Sequence, residues 1–377
     1  MQRFIGLMSG TSMDGIDAAL VRFDATGTAA LEASVGIPMP QALRERLWQL
    51  AHADQVSFAD LAWAEEAFCQ CQAEAVQRLL EQQGLEPEDI AAIGSHGQTI
   101  EHAPYGHQPG TPPYTLQLDN PSRLAELTRC AVVADFRRRD LAAGGQAAPL
   151  APIFHQQVFR HPERWRLVLN LGGIANLTLL PPTSDPRAPL GFDTGPANAL
   201  LDAWHQRHRG THFDANGDWA AGGQVDTALL ERWLAEPYFH RPPPRSTGRE
   251  LFSLDWAEAQ LNGSESPQDV QATLAELTAT SVALGIEMAR EHFTAPASLD
   301  LVPCGGGSRN LDLLARLARQ LPEATLLDSE SLGWPADWLE AAAFAWLAHA
   351  RLNLQPGNLP SVTGASAERV LGGLYAR

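Results

Sequence analysis

Two short apolar runs open the chain, Phe4 to Met8 and Ile16 to Phe23, with the polar stretch Ser9 to Gly15 between them. Runs of this length bounded by Gly, Ser, Thr and Asp predict two strands joined by a turn. Gln41 to Ala51 and Val56 to Gln83 carry a helical repeat, and Leu61, Ala64, Phe68 and Val76 are spaced for a buried stripe. "IAAIGSHGQTI" (Ile90 to Ile100) predicts a strand entering a glycine-containing loop, "YTLQL" a short strand, and Pro121 to Leu127 a helix capped by Asn120. "CAVVADF" is almost wholly apolar, as expected of a strand inside a parallel sheet. "AAGGQAAPLAP" (Ala142 to Pro152) interrupts regular structure. Strand, polar turn and strand then recur at Leu167 to Leu180, and helices are predicted over Asn198 to Arg207 and Val270 to His292. "LDLVPCGGGSRNLDLLARLARQL" predicts strand, triple-glycine turn and helix, and an Ala-rich helix runs from Ala336 to Leu352.

The same device thus appears twice, roughly 160 residues apart, too far for a solenoid repeat. It predicts an α/β protein of two lobes of similar topology with a cleft between them. The expected division is a first lobe over 1–142, a second over 143–349, and the end of the chain, about 350–377, packing back onto the first.

Composition adds limits. A chain of 377 residues exceeds what one core usually fills. The net charge of −17 argues against nucleic acid or an anionic membrane surface as partner, since both demand a basic face. No apolar run reaches membrane-spanning length, and the start of the chain enters a strand pattern without a leader-like core, so a cytoplasmic protein is expected. Cys69, Cys71, Cys130 and Cys304 form no C-x-x-C pair and read as free buried thiols in a reducing compartment.

The turns carry the candidate chemistry. Backbone N–H groups in a tight glycine-containing turn make an anion-binding concavity, and Ser9, Thr11 and Ser12 add hydroxyls. Asp14 and Asp17 sit badly beside a phosphate unless a divalent cation intervenes, which suits a magnesium-bound nucleotide. A decorated hairpin is the plain alternative, and the absence of G-K-[ST] excludes a Walker loop. The second turn, Gly172-Gly173 with Asn176, and the third, Gly305 to Gly307, strengthen the phosphate and nucleotide reading by their order along the chain. Asp193, in "LGFDTGPAN", is placed at a strand-to-helix corner, either as a general base or as a helix cap. His96, Gln98 and Thr99 offer neutral donors and acceptors to a sugar, or form an ordinary loop. An arginine of the Arg137 to Asp140 run can take a carboxylate, or the run is a solvated face. Glu340 opens the Ala-rich helix and reads equally as a first-turn helix acid.

"GLMSGTSMDGID", "GSHGQT", "NLGGIANLT", "GFDTGPAN", "CGGGSRN" and "LEAAAFAWLA" occur in this order across nearly the whole chain. Together they resemble the anhydro-N-acetylmuramic acid kinases of bacterial cell-wall recycling, within the sugar kinase, heat-shock protein 70 and actin superfamily. The resemblance implies a two-lobe actin-like ATPase (ribonuclease H-like) fold with a five-stranded mixed sheet in each lobe. It implies that ATP phosphorylates O6 of 1,6-anhydro-N-acetylmuramic acid while water opens the anhydro bridge, giving N-acetylmuramic acid 6-phosphate and ADP. By the same resemblance Asp193 deprotonates the water. Gly10, Thr11, Ser12, Met13, Asp14, Gly15, Ile16 and Asp17, with Gly172, Gly173 and Asn176, hold phosphates. Asp14 holds Mg²⁺, and Gly305, Gly306 and Gly307 lie by the adenosine. His96, Gln98, Thr99, Arg137, Asp140 and Glu340 are then substrate contacts, and a homodimer is implied. One departure is visible: Ala147 stands where the family pattern "GGQGAPL" has glycine. Two other readings remain open on the residues alone, a kinase of an ordinary free sugar and a non-enzymatic nucleotide switch.

Overall fold

The apolar run Phe4–Leu7 is buried on both faces because it forms a central strand, not an edge. In the computed structural model, which describes residues 1–53, 55–108, 110–243, 245–248, 251–292 and 299–377, the chain divides into two units. One is Met1–Val158 with Trp338–Arg377, and the other is Phe159–Asp337. The units divide at 158/159 and 337/338, where the sequence reading set 142/143 and 349/350.

The strands of the first unit are β1 (Gln2–Met8), β2 (Gly15–Phe23), β3 (Ala29–Pro38), β4 (Ile90–Ser95), β5 (Gln98–Ala103), β6 (Tyr114–Leu118) and β7 (Val132–Ala134). Those of the second are β8 (Trp165–Leu171), β9 (Ile174–Leu180), β10 (Leu190–Pro196), β11 (Leu299–Cys304) and β12 (Ala324–Leu326), and β13 (Gly373–Tyr375) returns to the first. The first sheet has the order β13-β7-β4-β1-β2-β3. β1 pairs antiparallel with β2 and parallel with β4, so the sheet is mixed. It has six strands, one more than expected, because the tail strand β13 adds antiparallel to β7. β5 and β6 form a separate ribbon.

Two helices of the first unit show their sequence logic plainly. Phe58–Gln83 starts at Ser57, whose hydroxyl accepts from the Asp60 N–H, and ends at left-handed Gly84. Pro121–Thr128 starts at Asn120, which accepts from the Arg123 N–H, as expected. Leu339–Leu352 lies directly on the sheet. A Cβ on Gly6 would collide with the Ala341 carbonyl, and one on Gly94 with the Phe344 carbonyl. These glycines are register partners on β1 and β4. The Ala-rich sequence therefore serves close backbone packing on this sheet.

The second unit has the order β10-β9-β8-β11-β12. β8 and β9 make the predicted hairpin, and β11 runs parallel to both β8 and β12. Its Pro267–Met288 helix is capped by Ser266 and buries Leu274, Leu277 and Val282. Three local expectations are corrected. β3 lies in a stretch with no strand prediction. Ala151–Phe159 is helical although it begins inside the predicted break, and Phe136–Ala142 is a short helix following a strand cut to three residues. All four cysteines are free and buried. Among the described residues no helix is long and apolar enough to cross a membrane.

Candidate active site

In the first unit the Ser9–Asp14 turn is tied from inside. Ser9 Oγ lies 2.8 Å from Gln98 Oε1 and 2.9 Å from the Gly15 carbonyl, and Gln98 Nε2 donates to the Gly10 carbonyl at 3.2 Å. Met13 takes a left-handed φ of 55° and, like Ile16, buries its side chain in the core. These two residues present backbone only. Thr11, Ser12 and Asp14 face solvent, and Ser12 Oγ donates to Asp14 Oδ1 at 2.8 Å. Among the described residues no three His, Cys, Asp or Glu side chains group as a metal cage. A single exposed carboxylate beside a phosphate-type turn fits Mg²⁺, which keeps waters and phosphate oxygens as its other ligands.

His96 and Arg137 meet. Arg137 donates to His96 Nε2 through Nη2 at 2.8 Å and Nε at 3.2 Å, and through Nη1 to the Ala147 carbonyl at 2.7 Å. Because Nε2 accepts, the imidazole proton sits on Nδ1, which lies near the Ser9 and Gly97 backbone without a well-formed hydrogen bond. Burial, then the Arg137 charge, holds His96 well below its ordinary pKa, so it is neutral. Burial brings Arg137 down to about 10, against the pull of Glu340 and Asp140. Glu340 reaches solvent in the first turn of its helix. Surrounding protein raises its carboxyl, and Arg137 lowers it in part.

Two expected contact residues are spent internally. Gln98 is fully buried and its amide braces the first turn, with a further bond from Nε2 to the Thr99 carbonyl. Asp140 is also fully buried, and both its oxygens accept from the chain itself. Neither has surface to offer a ligand here, because a buried polar group must be satisfied within the fold. Thr99 is half-buried, with Oγ1 accepting from Gln117 at 3.3 Å.

In the second unit a polar row crosses the sheet: Asp193 on β10 is opposite Asn176 on β9, which is opposite Asn170 on β8. Asp193 is inside β10 at a break in register, and the helix after it is capped at Ala197 without a side-chain bond. The helix-cap alternative for Asp193 is therefore excluded. Its Oδ2 accepts from the Thr247 N–H at 2.9 Å. Its carbonyl accepts from Tyr238 Oη at 2.8 Å and Arg245 Nε at 3.1 Å. Arg245 is buried; its Nη1 donates to the Tyr238, Phe239 and Arg241 carbonyls and its Nη2 to the Thr194 carbonyl. Burial lowers its pKa, whereas burial and then the Asp193 charge raise that of Tyr238. Gly195 is needed for close approach: a Cβ there would lie 2.7 Å from the Phe239 ring.

The second and third glycine turns adjoin. The Gly172 carbonyl accepts from the Asn198 N–H, and the Gly173 carbonyl from Ala197 and Ala199. Asn198 Nδ2 holds the Leu171 carbonyl at 2.8 Å. Gly305, at φ 72°, leaves no room for a Cβ against Asn170 Oδ1, and a Cβ on Gly307 would lie 2.6 Å from Leu171 Cβ. The turn leads through a 3₁₀ segment, Gly306–Arg309, before Asn310 caps the Leu311–Gln320 helix. Sequence reasoning missed Asn170, Tyr238, Arg245 and Thr247. A lone polar residue in the apolar run "LVLNL" was a usable signal for Asn170. The Pro-rich stretch around Arg245 reads only as a loop.

Each unit thus carries a mixed sheet with a leading antiparallel hairpin, a polar turn and flanking helices, which is the actin-like ATPase class of fold. The profile of one family, "Anhydro-N-acetylmuramic acid kinase", matches residues 2–377. The anhydro-N-acetylmuramic acid kinase of Chromohalobacter salexigens is 60% identical over 376 residues, covering 100% of both chains. That of Nitrosomonas europaea is 47% identical over 372 residues, 99% of both. Among solved structures, a ROK family glucokinase from Streptomyces griseus in complex with glucose and AMPPNP is similar at a TM-score of 0.40 and 15% identity, with 91% of this chain and 99% of that one covered. The chain belongs to the anhydro-N-acetylmuramic acid kinase family.

Proposed function

We propose that the chain uses ATP to phosphorylate O6 of 1,6-anhydro-N-acetylmuramic acid as water opens the anhydro bridge, with Asp193 as the base. The full-length family match carries this reading. Asp193 takes a proton from water, the water oxygen bonds to C1, and the C1–O6 bond breaks. O6 then bonds to the γ-phosphorus as ADP leaves. The half-buried Asp193 carboxylate is oriented by the Thr247 N–H and by a backbone pinned to Tyr238 and Arg245. The turn Gly10–Asp17, with Gly172, Gly173 and Asn176, binds phosphates. Gly305–Gly307 lies by the adenosine. Asp14 would hold Mg²⁺, which supplies charge neutralisation on the phosphates. Sugar contacts fall to His96, Thr99, Arg137 and Glu340, with Arg137 suited to the lactyl carboxylate and neutral His96, whose Nε2 accepts from Arg137, orienting that guanidinium. Gln98 and Asp140 support these groups from behind. The homodimer and cytoplasmic location implied by the family complete the reading, and sedimentation velocity tests the first.

Product mass decides the reaction. After incubation with Mg·ATP and the anhydro sugar, the sugar is expected to gain one phosphoryl group and one water. Phosphoryl alone on a free sugar points to an ordinary sugar kinase, and ADP without any sugar change to a nucleotide switch. Asp193→Asn is expected to lower kcat by about 10²- to 10⁴-fold while leaving ATP binding by calorimetry intact. Near wild-type turnover would remove Asp193 from the role.

A further inference from the structure

The Arg137–His96 pair is held from the far end of the chain. Asp140 Oδ1 accepts from Asn358 Nδ2 at 2.6 Å and from Thr363 Oγ1 at 2.8 Å. Its Oδ2 accepts from the Ala147 N–H at 2.8 Å, and the Ala147 carbonyl in turn accepts from Arg137 Nη1 at 2.7 Å. Every member of the Asp140 junction is buried. The loop is laid directly on the carboxylate, since a Cβ on Gly145 would collide with Asp140 Oδ2. Two backbone bonds strap it to the same C-terminal segment: Gln146 N–H to the Thr363 carbonyl at 2.7 Å, and Ser366 N–H to the Ala143 carbonyl at 2.9 Å.

A guanidinium is planar, so fixing one N–H direction leaves only rotation about that bond to set the others. With Nη1 held on the Ala147 carbonyl, Nε and Nη2 both reach His96 Nε2. Released from Ala147, the same cation has the carboxylate of Glu340 within its field, and His102 also feels its charge. We propose that Asn358 and Thr363 are positioning residues for the sugar site. They fix Asp140, Asp140 fixes the 145–147 loop, and the Ala147 carbonyl sets the plane of Arg137 against His96. The contacts stand by themselves; only their consequence for the sugar rests on the reaction proposed above.

The test compares Thr363→Val, which removes the hydroxyl at nearly constant shape, with Thr363→Ser, which keeps it. Two readouts are taken on the full chain: separate KM values for anhydro sugar and ATP, and the ¹⁵N imidazole spectrum of His96, assigned by its loss in His96→Gln. Thr363→Val is expected to raise the sugar KM about five-fold, with kcat and the ATP KM changed less than about two-fold. His96 should shift its Nε2 resonance and titrate closer to 6.5 as Arg137 moves off the ring. Thr363→Ser restores both. An unmoved His96 spectrum in Thr363→Val overturns the relay, as does a parallel rise of both KM values without it. A shifted His96 with an unchanged sugar KM upholds the relay and removes Arg137 and His96 from the sugar instead. If Thr363→Val does not fold, Asn358→Ser carries the same comparison.

Discussion

Residues with positive φ show where this chain departs from its best sequence. Leu354 has φ 54° and is 71% exposed, just past the Leu339–Leu352 helix, where the Gln355 N–H closes back on the Ala350 carbonyl at 2.8 Å. This is the left-handed end position that glycine fills without a steric cost. Leu354→Gly is expected to stabilise the protein by about 1 kcal/mol in urea melts. Ala147 has φ 60°, which bears out the demand for glycine inferred from the family pattern, but its methyl is wholly buried. Losing that contact offsets part of the relief, so Ala147→Gly should gain less than Leu354→Gly. The general legibility of the site also belongs to this scale. Asp193, His96 and the glycine turns stand out as candidates because their residue types are improbable in those contexts. Gln98 and Asp140 were readable as polar but not as internal braces, because burial depends on residues far away in sequence.

At the scale of elements, helix against sheet is the most exacting contact. The Leu339–Leu352 helix rests on β1 and β4 through Gly6 and Gly94, with no room for a methyl at either because the opposing atoms are backbone. Gly94→Ala and Gly6→Ala are each expected to cost about 3 kcal/mol or more, read as a fall in Tm and soluble yield. Glycines in the surface turns at 27 and 84, where a Cβ meets nothing within 4 Å, should cost far less. The helix periodicities and the two hairpins were legible because they are local. The short strand β7, the added strand β13 and the unannounced β3 were not, since a three-residue strand exists only by virtue of its neighbours.

For the whole molecule, buried titratable groups set opposing pH slopes. Burial depresses His155 to about 3 and, with Arg137, His102 to about 4. Between 6.5 and these values the unfolded chain binds more protons, so their contribution is full above 6.5 and lost on acidification. Asp119 moves oppositely: burial raises it to about 6, although Ser95 donates to Oδ2 at 2.6 Å. Between 3.8 and about 6 the native state binds more protons, so ionising Asp119 lowers stability as pH rises. Urea melts from about pH 7 to about pH 4.5 should show His155→Gln losing about 2 to 3 kcal/mol less than wild type. Asp119→Asn should lose about 2 kcal/mol more over the same range, its advantage being confined to neutral pH.

By itself the sequence determined the two hairpins, the glycine turns, the main helices, the free thiols and the family, because each is written in local periodicity, turn chemistry or motif order. Only the tertiary structure decided that Asp193 lies in a strand, that Gln98 and Asp140 face inward, and that Asn358 and Thr363 meet a carboxylate more than 200 residues earlier in the chain. The physical reason is the same in each case. A side chain's burial and hydrogen-bond partners are fixed by which distant segments close over it, and the residue's own neighbours carry no record of that choice.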